Sequence, residues 1–223
     1  MDKRQIIDTN FDTAKADMKT TDFIDDDIVL YDDAKKIPLP KEPRRTTFIF
    51  VGLCTAGTAS YTIDTENVVV RKNDIVIISE RRVTENYTAS PDLECIGMFM
   101  SMNFYYETIR NVSDISAMLI FSRTTPEVSV SEKEARMFID YFRILQSKTA
   151  DTSNPFRRKV VQALVLAMFY DLNAIIHHME TRGHSKRPRA DIIFTEFIRL
   201  VEANFKSERR VSWYAEQMCI TPK

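Results

Sequence analysis

Few residues in this sequence could bind a metal ion or act as a nucleophile. The histidines are His177, His178 and His184, and all three follow the region in which β-strands are predicted. Barrel metalloenzymes bind their ion with two or three histidines and a carboxylate on facing strands. The neighbouring His177 and His178 point to different sides of a predicted helix, so one ion cannot use both well. We therefore expect no cofactor and no barrel metal site of the usual composition, which leaves only an unusual site of carboxylates as an alternative.

The three cysteines, Cys54, Cys95 and Cys219, are far apart and include no Cys-x-x-Cys pair. This pattern argues against a disulfide framework and favours a reducing compartment. Cys54 and Cys95 lie in apolar strand segments, where inert core thiols are expected. Since the sequence also offers no Ser-His-Asp, Cys-His or glycine-rich phosphate-binding arrangement, it predicts that the protein is not an enzyme.

The charge balance gives no sign of a nucleic-acid-binding surface. Lysine and arginine number 31 and aspartate and glutamate 32, which leaves a formal net charge of -1. A complete DNA-binding protein usually carries a basic patch or a basic excess. The first ten residues lack the apolar core of a signal peptide, and the apolar segment Val160–Tyr170 is short and interrupted for a bilayer-spanning helix. We expect a cytoplasmic protein without a membrane span.

Short strands dominate the first half of the sequence. Residues 1–45 are polar and acidic and read as an N-terminal arm, with a strand candidate at 28–31 and a stiff proline-rich segment at 38–43. Beyond the arm, strands are predicted at 47–54, 58–64, 68–71, 75–78 and 93–100, with a further candidate at 83–88. Short strands at regular spacing, joined by turns, are typical of an antiparallel sandwich or barrel.

Two helices are predicted after the strands. Ser131 and Glu134 form a Ser-x-x-Glu capping box, which satisfies free amides of a first helical turn. The next helix, over 156–179, is apolar on nearly all sides and must therefore be buried on nearly all sides. A second copy of the chain is the economical partner for the side that the monomer leaves uncovered. The predicted seam of this homodimer consists of Val161, Val165, Ala167, Phe169 and Leu172.

The last forty residues change character again. Residues 181–190 are basic and indicate an inter-domain linker. An amphipathic helix is predicted over 193–205 and a short helix over 211–218, with Ser212 as its cap. Thr221-Pro222 is a favourable helix start, so we expect this sequence to be cut as a further helix begins.

Residues 197–223 resemble the start of the helix-turn-helix domain of AraC-type bacterial transcription regulators; they read FIRLVEANFKSERRVSWYAEQMCITPK. The matching positions are Phe205, Val211, Ser212, Tyr214, Ala215, Met218, Ile220, Thr221 and Pro222. The resemblance implies sequence-specific DNA binding, of which Ser212, Thr221 and Lys223 would be the remnant here. Because a recognition helix supplies the base contacts, we expect DNA to be a partner of the full-length protein only.

The upstream part resembles the cupin-like sensor domain of the same family, notably that of Bacteroides-type regulators, in PRRTTFIFVGLC and SPDLEC. Together the two resemblances imply an α+β protein: an antiparallel cupin-like β-barrel or sandwich, then two long helices, then the first helices of a truncated helix-turn-helix domain. The expected boundaries are an arm at 1–45, a sensor barrel at 46–130, a dimerisation hairpin at 131–180, a linker at 181–190 and an incomplete DNA-binding domain at 191–223.

A small-molecule effector is expected in the barrel, whose mouth or lumen is the natural concave site. Methionine is deformable and suits a variable ligand, and an arginine could pair with an anionic one; ordinary core packing and solvated surface charge are the competing interpretations. The candidate residues are Phe48, Phe50, Tyr61, Met98, Met100, Arg44 and Arg45, with Met102 on the same face as the other methionines if the strand runs that far.

The sequence thus predicts a ligand-responsive, DNA-binding transcription regulator, represented here by its effector-sensing and dimerising part. The alternative is a stand-alone cupin-like domain that binds or converts a small molecule and carries an unrelated helical tail. The residues that follow Lys223 in the gene would separate the two.

Overall fold

The computed structural model describes residues 6–18, 22–33, 42–110, 126–181, 189–205 and 207–221. The predicted linker at 182–188, residues 38–41 of the proline-rich segment, Pro222 and Lys223 lie outside these ranges. The elements, in chain order, are β1 (Ile7–Thr9), α1 (Phe11–Met18), β2 (Phe23–Ile24), β3 (Ile28–Tyr31), β4 (Arg44–Thr46), β5 (Phe48–Ala56), β6 (Thr58–Ile63), β7 (Glu66–Arg71), β8 (Asp74–Ile78), β9 (Val83–Ala89), β10 (Glu94–Ser101), α2 (Met102–Ile109), β11 (Glu127–Ser129), α3 (Glu132–Ala150), α4 (Arg157–Thr181), α5 (Arg189–Asn204) and α6 (Val211–Gln217).

The strands form two sheets. Sheet 1 has the order β1-β4-β9-β6-β7 and sheet 2 the order β11-β8-β5-β10-β3-β2. The pairings are antiparallel except for that of β1 with β4. The predicted α+β class, with antiparallel sheets followed by helices, is therefore confirmed.

Strand β5 shows how sheet 2 serves two hydrophobic cores. Alternate side chains of a strand point to opposite faces. One face carries Phe48 and Cys54, which pack between the two sheets. The other face carries Ile49, Val51 and Leu53, which pack with α2, α3 and α4. A strand covered on both sides needs apolar residues in both phases, which this segment has.

The segment predicted as an N-terminal arm is part of the sheets. β3 pairs with β10 on one side and with β2 on the other, and all four of its residues are buried. β1 and β4 form the edge of sheet 1. Helix α1 places Phe11 and Ala14 against Phe48 and Phe99 in the space between the sheets. The polar composition concealed this because each element is only two to eight residues long.

Of the capping predictions for α3 and α6, the first is confirmed and the second is wrong, and the start of α2 was not predicted at all. The capping box of Ser131 and Glu134 is present, as predicted. Helix α2 was not predicted: it starts at Met102, and the Ser101 hydroxyl accepts a hydrogen bond from the amide of Phe104 at 3.2 Å. For α6 the residue before the first turn is Arg210, which makes no side-chain cap, so Ser212 lies inside the helix.

Within the described ranges, helix α4 is long and apolar enough to cross a membrane by length and composition alone. Its stretch Arg157–Met179 has 23 residues and a mean hydropathy of 1.6 over the best window, 44% of which is buried inside the protein. This differs from the expectation that the apolar segment is too short. Core helices of soluble proteins pass the same test, and Val161, Val165 and Phe169 here pack in the core formed with sheet 2.

Candidate effector pocket and the surrounding helix faces

Aromatic rings fill one end of the space between the two sheets. Phe50 lies 4.8 Å from Phe99 and 5.8 Å from Tyr31, measured between ring centroids, and Phe48 lies 5.2 Å from Phe99. Such separations are those of mutually packed aromatic pairs. The predicted pocket residues Phe48 and Phe50 therefore do face the barrel interior, where they form part of a packed cluster.

Tyr61 lies further along the interior, on sheet 1. Its ring stacks on that of Tyr87 at 5.6 Å. The side chain is buried, and its hydroxyl has no hydrogen-bond partner within the described part of the chain. Burial raises the pKa of Tyr61 well above its ordinary value, with further upward contributions from Tyr87 and Glu127. An unpaired buried hydroxyl costs about 1–3 kcal/mol, so its presence needs a reason.

Charged groups border this tyrosine pair. Arg44 is paired in register with Thr84, which is buried, so both side chains are on the inner face of sheet 1. Arg44 is near enough to Tyr87 to lower the pKa of that phenol, although burial has the larger, opposite effect. Glu127 is opposite Val76 in register and shares its inward face, and burial raises the pKa of its carboxyl.

The two adjacent arginines predicted for the pocket separate. Arg45 follows Arg44 on the same strand and so faces the other way. On that outer side its guanidinium lies 3.4 Å from the Asp8 carboxylate. Arg45 is therefore removed from the candidate pocket, whereas Arg44 stays in it.

The predicted methionine face is on the wrong side of its strand. Met98 and Met100 do share one face of β10, and both are fully buried, but they pack with α2, α3 and α4. The inward positions of β10 are occupied by Cys95, Gly97 and Phe99. The prediction that Met98 and Met100 share one face of the strand is correct, but the prediction that this face points into the barrel is wrong. A strand that is buried on both sides gives no sequence signal for which of its faces points inward. Met102 lies on α2.

The predicted dimer seam is also corrected. Val161, Val165, Phe169 and Leu172 are buried inside the single chain, where they pack with sheet 2 and α3. A second copy cannot reach them without unfolding this core. A different stripe of α4 is exposed, and it includes Ala163, Ala167, Tyr170, Ala174 and His177.

A groove of about 400 Å³ lies on the exposed side of α3. It is lined by Lys133, Arg136, Met137, Asp140, Tyr141 and Ile144. The Tyr141 hydroxyl donates a 2.6 Å hydrogen bond to Asp171 of α4, which ties the two helices together at this place. The same bond to an acceptor raises the pKa of Tyr141 to about 12.

Arg158 at the start of α4 connects three elements. It donates hydrogen bonds to both carboxylate oxygens of Asp27, which precedes β3, and one of 2.7 Å to Glu107 of α2. Its guanidinium also lies 5.6 Å from the ring centroid of Phe104. The bonds from Arg158 lower the pKa of Glu107. No sequence pattern marked these residues, because their partners are far away in the chain.

The carboxy-terminal helices form a small unit. The rings of Phe197 on α5 and Tyr214 on α6 meet edge to face at 5.8 Å, and Tyr214 and Ala215 are buried. Helix α6 ends in a turn in which Cys219 has a φ of 53° and the Ile220 amide donates to the Ala215 carbonyl at 2.9 Å. Ser212 and Thr221, predicted to remain from the DNA-binding surface, are both exposed.

Comparisons with known proteins give partial structural matches. No protein-family model matches this chain, and no curated protein does. The AraC-like transcriptional activator CuxR aligns with this chain at 13% sequence identity and a TM-score of 0.38. The alignment covers 78% of this chain and 58% of the length of CuxR. ToxT from Vibrio cholerae aligns at 8% sequence identity and a TM-score of 0.38, over 87% of this chain and 72% of the ToxT chain. A cupin superfamily protein from Desulfitobacterium hafniense aligns at 11% sequence identity and a TM-score of 0.27, over 35% of this chain and 71% of the cupin chain.

Proposed function

We propose that this chain is the effector-sensing and dimerising part of an AraC-type transcription regulator, with DNA binding a property of the full-length protein. The observation that carries the proposal is the unit formed by α5 and α6. Phe197, Tyr214 and Ala215 pack at its centre, and a tight turn leads from α6 to Thr221. This is the arrangement that the resemblance of residues 197–223 implies for the start of the helix-turn-helix domain.

The barrel interior supports the sensing role. A binding site needs a few polar groups among apolar walls. Tyr61 supplies such a group, since its buried hydroxyl has no partner within the described residues. Arg44 and Tyr87 lie on the same inner face. We propose that the effector binds here without chemical conversion and satisfies the Tyr61 hydroxyl.

Replacing Tyr61 with phenylalanine is expected to weaken effector binding roughly tenfold, because one hydrogen bond of about 1.4 kcal/mol is lost. A thermal-shift screen of small metabolites on the unmodified chain identifies stabilising compounds, whose dissociation constants are then measured by calorimetry. The matched control is Thr62→Val, which removes a hydroxyl from the opposite face of the same strand. Equal affinity for the Tyr61→Phe and unmodified chains would contradict the pocket.

The exposed side of α3 and α4 supports the dimer. Tyr170 is 47% exposed and Ile144 44%, and the alanines of α4 leave room for close helix approach. The adjacent groove contains the cations Lys133 and Arg136 and the anion Asp140. In an interface with two-fold symmetry the same patch meets itself, so cations of one copy can face the acid of the other. We propose that two copies pair through this surface.

Ala167→Asp is expected to convert a dimer into a monomer, because it introduces a charge in the middle of the paired face. Light scattering coupled to size exclusion should give twice the 25.9 kDa chain mass for the unmodified protein and the single mass for the variant. Ala203→Asp, at an exposed helical alanine outside α3 and α4, should leave the dimer intact. A dimeric Ala167→Asp chain, or a monomeric unmodified chain, would rule out this interface.

A further inference from the structure

Two cysteines that are 41 positions apart in the sequence face each other in the barrel. Cys54 on β5 and Cys95 on β10 are directly opposed in the register of the two antiparallel strands, and the register shifts between Glu94 and Cys95. Directly opposed residues point to the same face of a sheet. Here it is the inner face, since Cys54 packs with Tyr61 and Cys95 packs with Tyr31 and Phe99. The two thiols are therefore neighbours inside the barrel.

A phenol lies next to this pair. Gly52 and Gly97 form the next opposed pair on the inner face, and the Tyr31 hydroxyl fills the space that their side chains would occupy. A Cβ atom at Gly52 would overlap this oxygen, and one at Gly97 would lie 2.5 Å from it. The hydroxyl makes no hydrogen bond of ordinary geometry to the described residues, and its polar neighbour is the Cys95 thiol. The two glycines thus admit a donor group beside the sulfur of Cys95.

Burial disfavours the thiolate form of both cysteines. Burial raises the pKa of Cys95 to about 12, with a further contribution from Cys54, and burial also raises the pKa of Cys54. The Cys54 thiol donates to the Ala56 carbonyl at 3.3 Å. Thiols with raised pKa values are slow nucleophiles, so neither is set up for attack on a substrate or a peroxide.

The spacing of opposed strand positions favours a bridging ion over a direct S–S bond. Directly opposed Cβ atoms lie about 4.5–5.5 Å apart, whereas the two Cβ atoms of a disulfide lie about 3.5–4.5 Å apart. An ion between two sulfurs lengthens the bridge. Two thiolates complete the coordination of a soft monovalent d¹⁰ ion, which accepts two ligands in a linear arrangement. Zinc requires about four ligands. Among the described residues no third histidine, cysteine or carboxylate completes a cluster with them.

We propose that Cys54 and Cys95 bind one Cu(I) ion between their sulfur atoms, with Tyr31 as a positioning donor. Each thiol releases its proton to water as its S–Cu bond forms, so binding adds one positive charge and removes two protons. The Tyr31 hydroxyl donates to the Cys95 sulfur, which carries more negative charge as a thiolate. Cys95 is only partly buried and lies at the start of β10, which provides a route for entry.

The site differs from the metal centres that the histidine count excluded. Those need nitrogen and carboxylate ligands on facing strands, whereas this one needs two sulfurs on neighbouring strands. It also stands on residues other than Tyr61 and Arg44. The copper site and the effector pocket can therefore be tested and rejected separately.

The test titrates the whole chain anaerobically with Cu(I) against a competing chelator. Cys219 is exposed, so Cys219→Ser serves as both background and control and is expected to keep one tightly bound copper per chain. Adding Cys54→Ser or Cys95→Ser to this background should abolish that binding, and adding Tyr31→Phe should weaken it about tenfold. Zinc should not compete.

A second measurement does not depend on any buried substitution. X-ray absorption at the copper edge of the Cys219→Ser chain should show two sulfur neighbours. Three or four sulfurs, copper retention in a folded Cys95→Ser chain, or failure of the Cys219→Ser chain to compete with the chelator would each overturn the proposal. An unchanged affinity in Tyr31→Phe would overturn the role given to Tyr31.

Discussion

A chain with Arg158→Leu is expected to be less stable by about 2–3 kcal/mol, because removing one partner of a partly buried ion pair leaves the other uncompensated. The Asp27 side chain is only 15% exposed, whereas that of Arg158 is 34% exposed. Because the arginine is partly exposed, we expect a smaller loss of stability than for a fully buried ion pair. Equilibrium unfolding in urea, followed by circular dichroism, measures the change.

The matched control for this prediction is Arg136→Leu, measured at a protein concentration where the chain is monomeric, because Arg136 also lines the groove of the proposed dimer interface. Arg136 pairs with Glu132 one helical turn away, and its side chain is 73% exposed. Exposed pairs of this kind contribute about 0.3–0.5 kcal/mol. Arg158→Lys should fall between the two, since lysine keeps the charge and loses the forked geometry that reaches both Asp27 and Glu107. Equal stability of the Arg158→Leu and Arg136→Leu chains would show that the three-element contact contributes little.

The second large effect is expected from Phe169→Ala, at about 3–5 kcal/mol, because it empties a packed site in the core. Phe169 is fully buried and its ring lies 5.9 Å from that of Tyr105 on α2. Its loss should lower the urea midpoint with little change in the slope of the transition.

The neighbouring residue provides the comparison. Tyr170 follows Phe169 on the same helix but is 47% exposed, so Tyr170→Ala should change the unfolding free energy of the chain by less than about 1 kcal/mol. Both variants are measured at a protein concentration where the chain is monomeric, so that loss of a dimer contact does not contribute. A larger loss of unfolding free energy for Tyr170→Ala than for Phe169→Ala would mean that α4 packs on the sheet with the side that carries Tyr170.

The local elements were predictable because their signals are local. β5, β6 and β8 lie within two residues of the predicted strands, since β-branched and aromatic runs bounded by turns mark strands. The capping box at Ser131 marked the start of α3, because its two hydrogen bonds form between residues three positions apart. The order of sheets before helices followed from the change of apolar period.

The candidate site was predicted only in part. Phe48, Phe50, Tyr61 and Arg44 do face the barrel interior. Met98, Met100 and Arg45 face away from it, because alternation fixes which residues share a face and does not say which face is inside. For the same reason the apolar α4 suggested a dimer seam at positions that the sheet already covers.

By itself, the sequence determined most of the longer strands and helices, their order and the scarcity of metal-ligating histidines, since these depend on residue types and on spacings of a few positions. The tertiary structure alone decided which face of each element is buried, that the acidic amino-terminal segment completes the sheets, and that Arg158 meets Asp27. It alone brought Cys54 opposite Cys95. These features depend on strand register and on packing between residues far apart in the chain. Their stability comes from contacts across the whole fold, so no short segment of sequence predicts them.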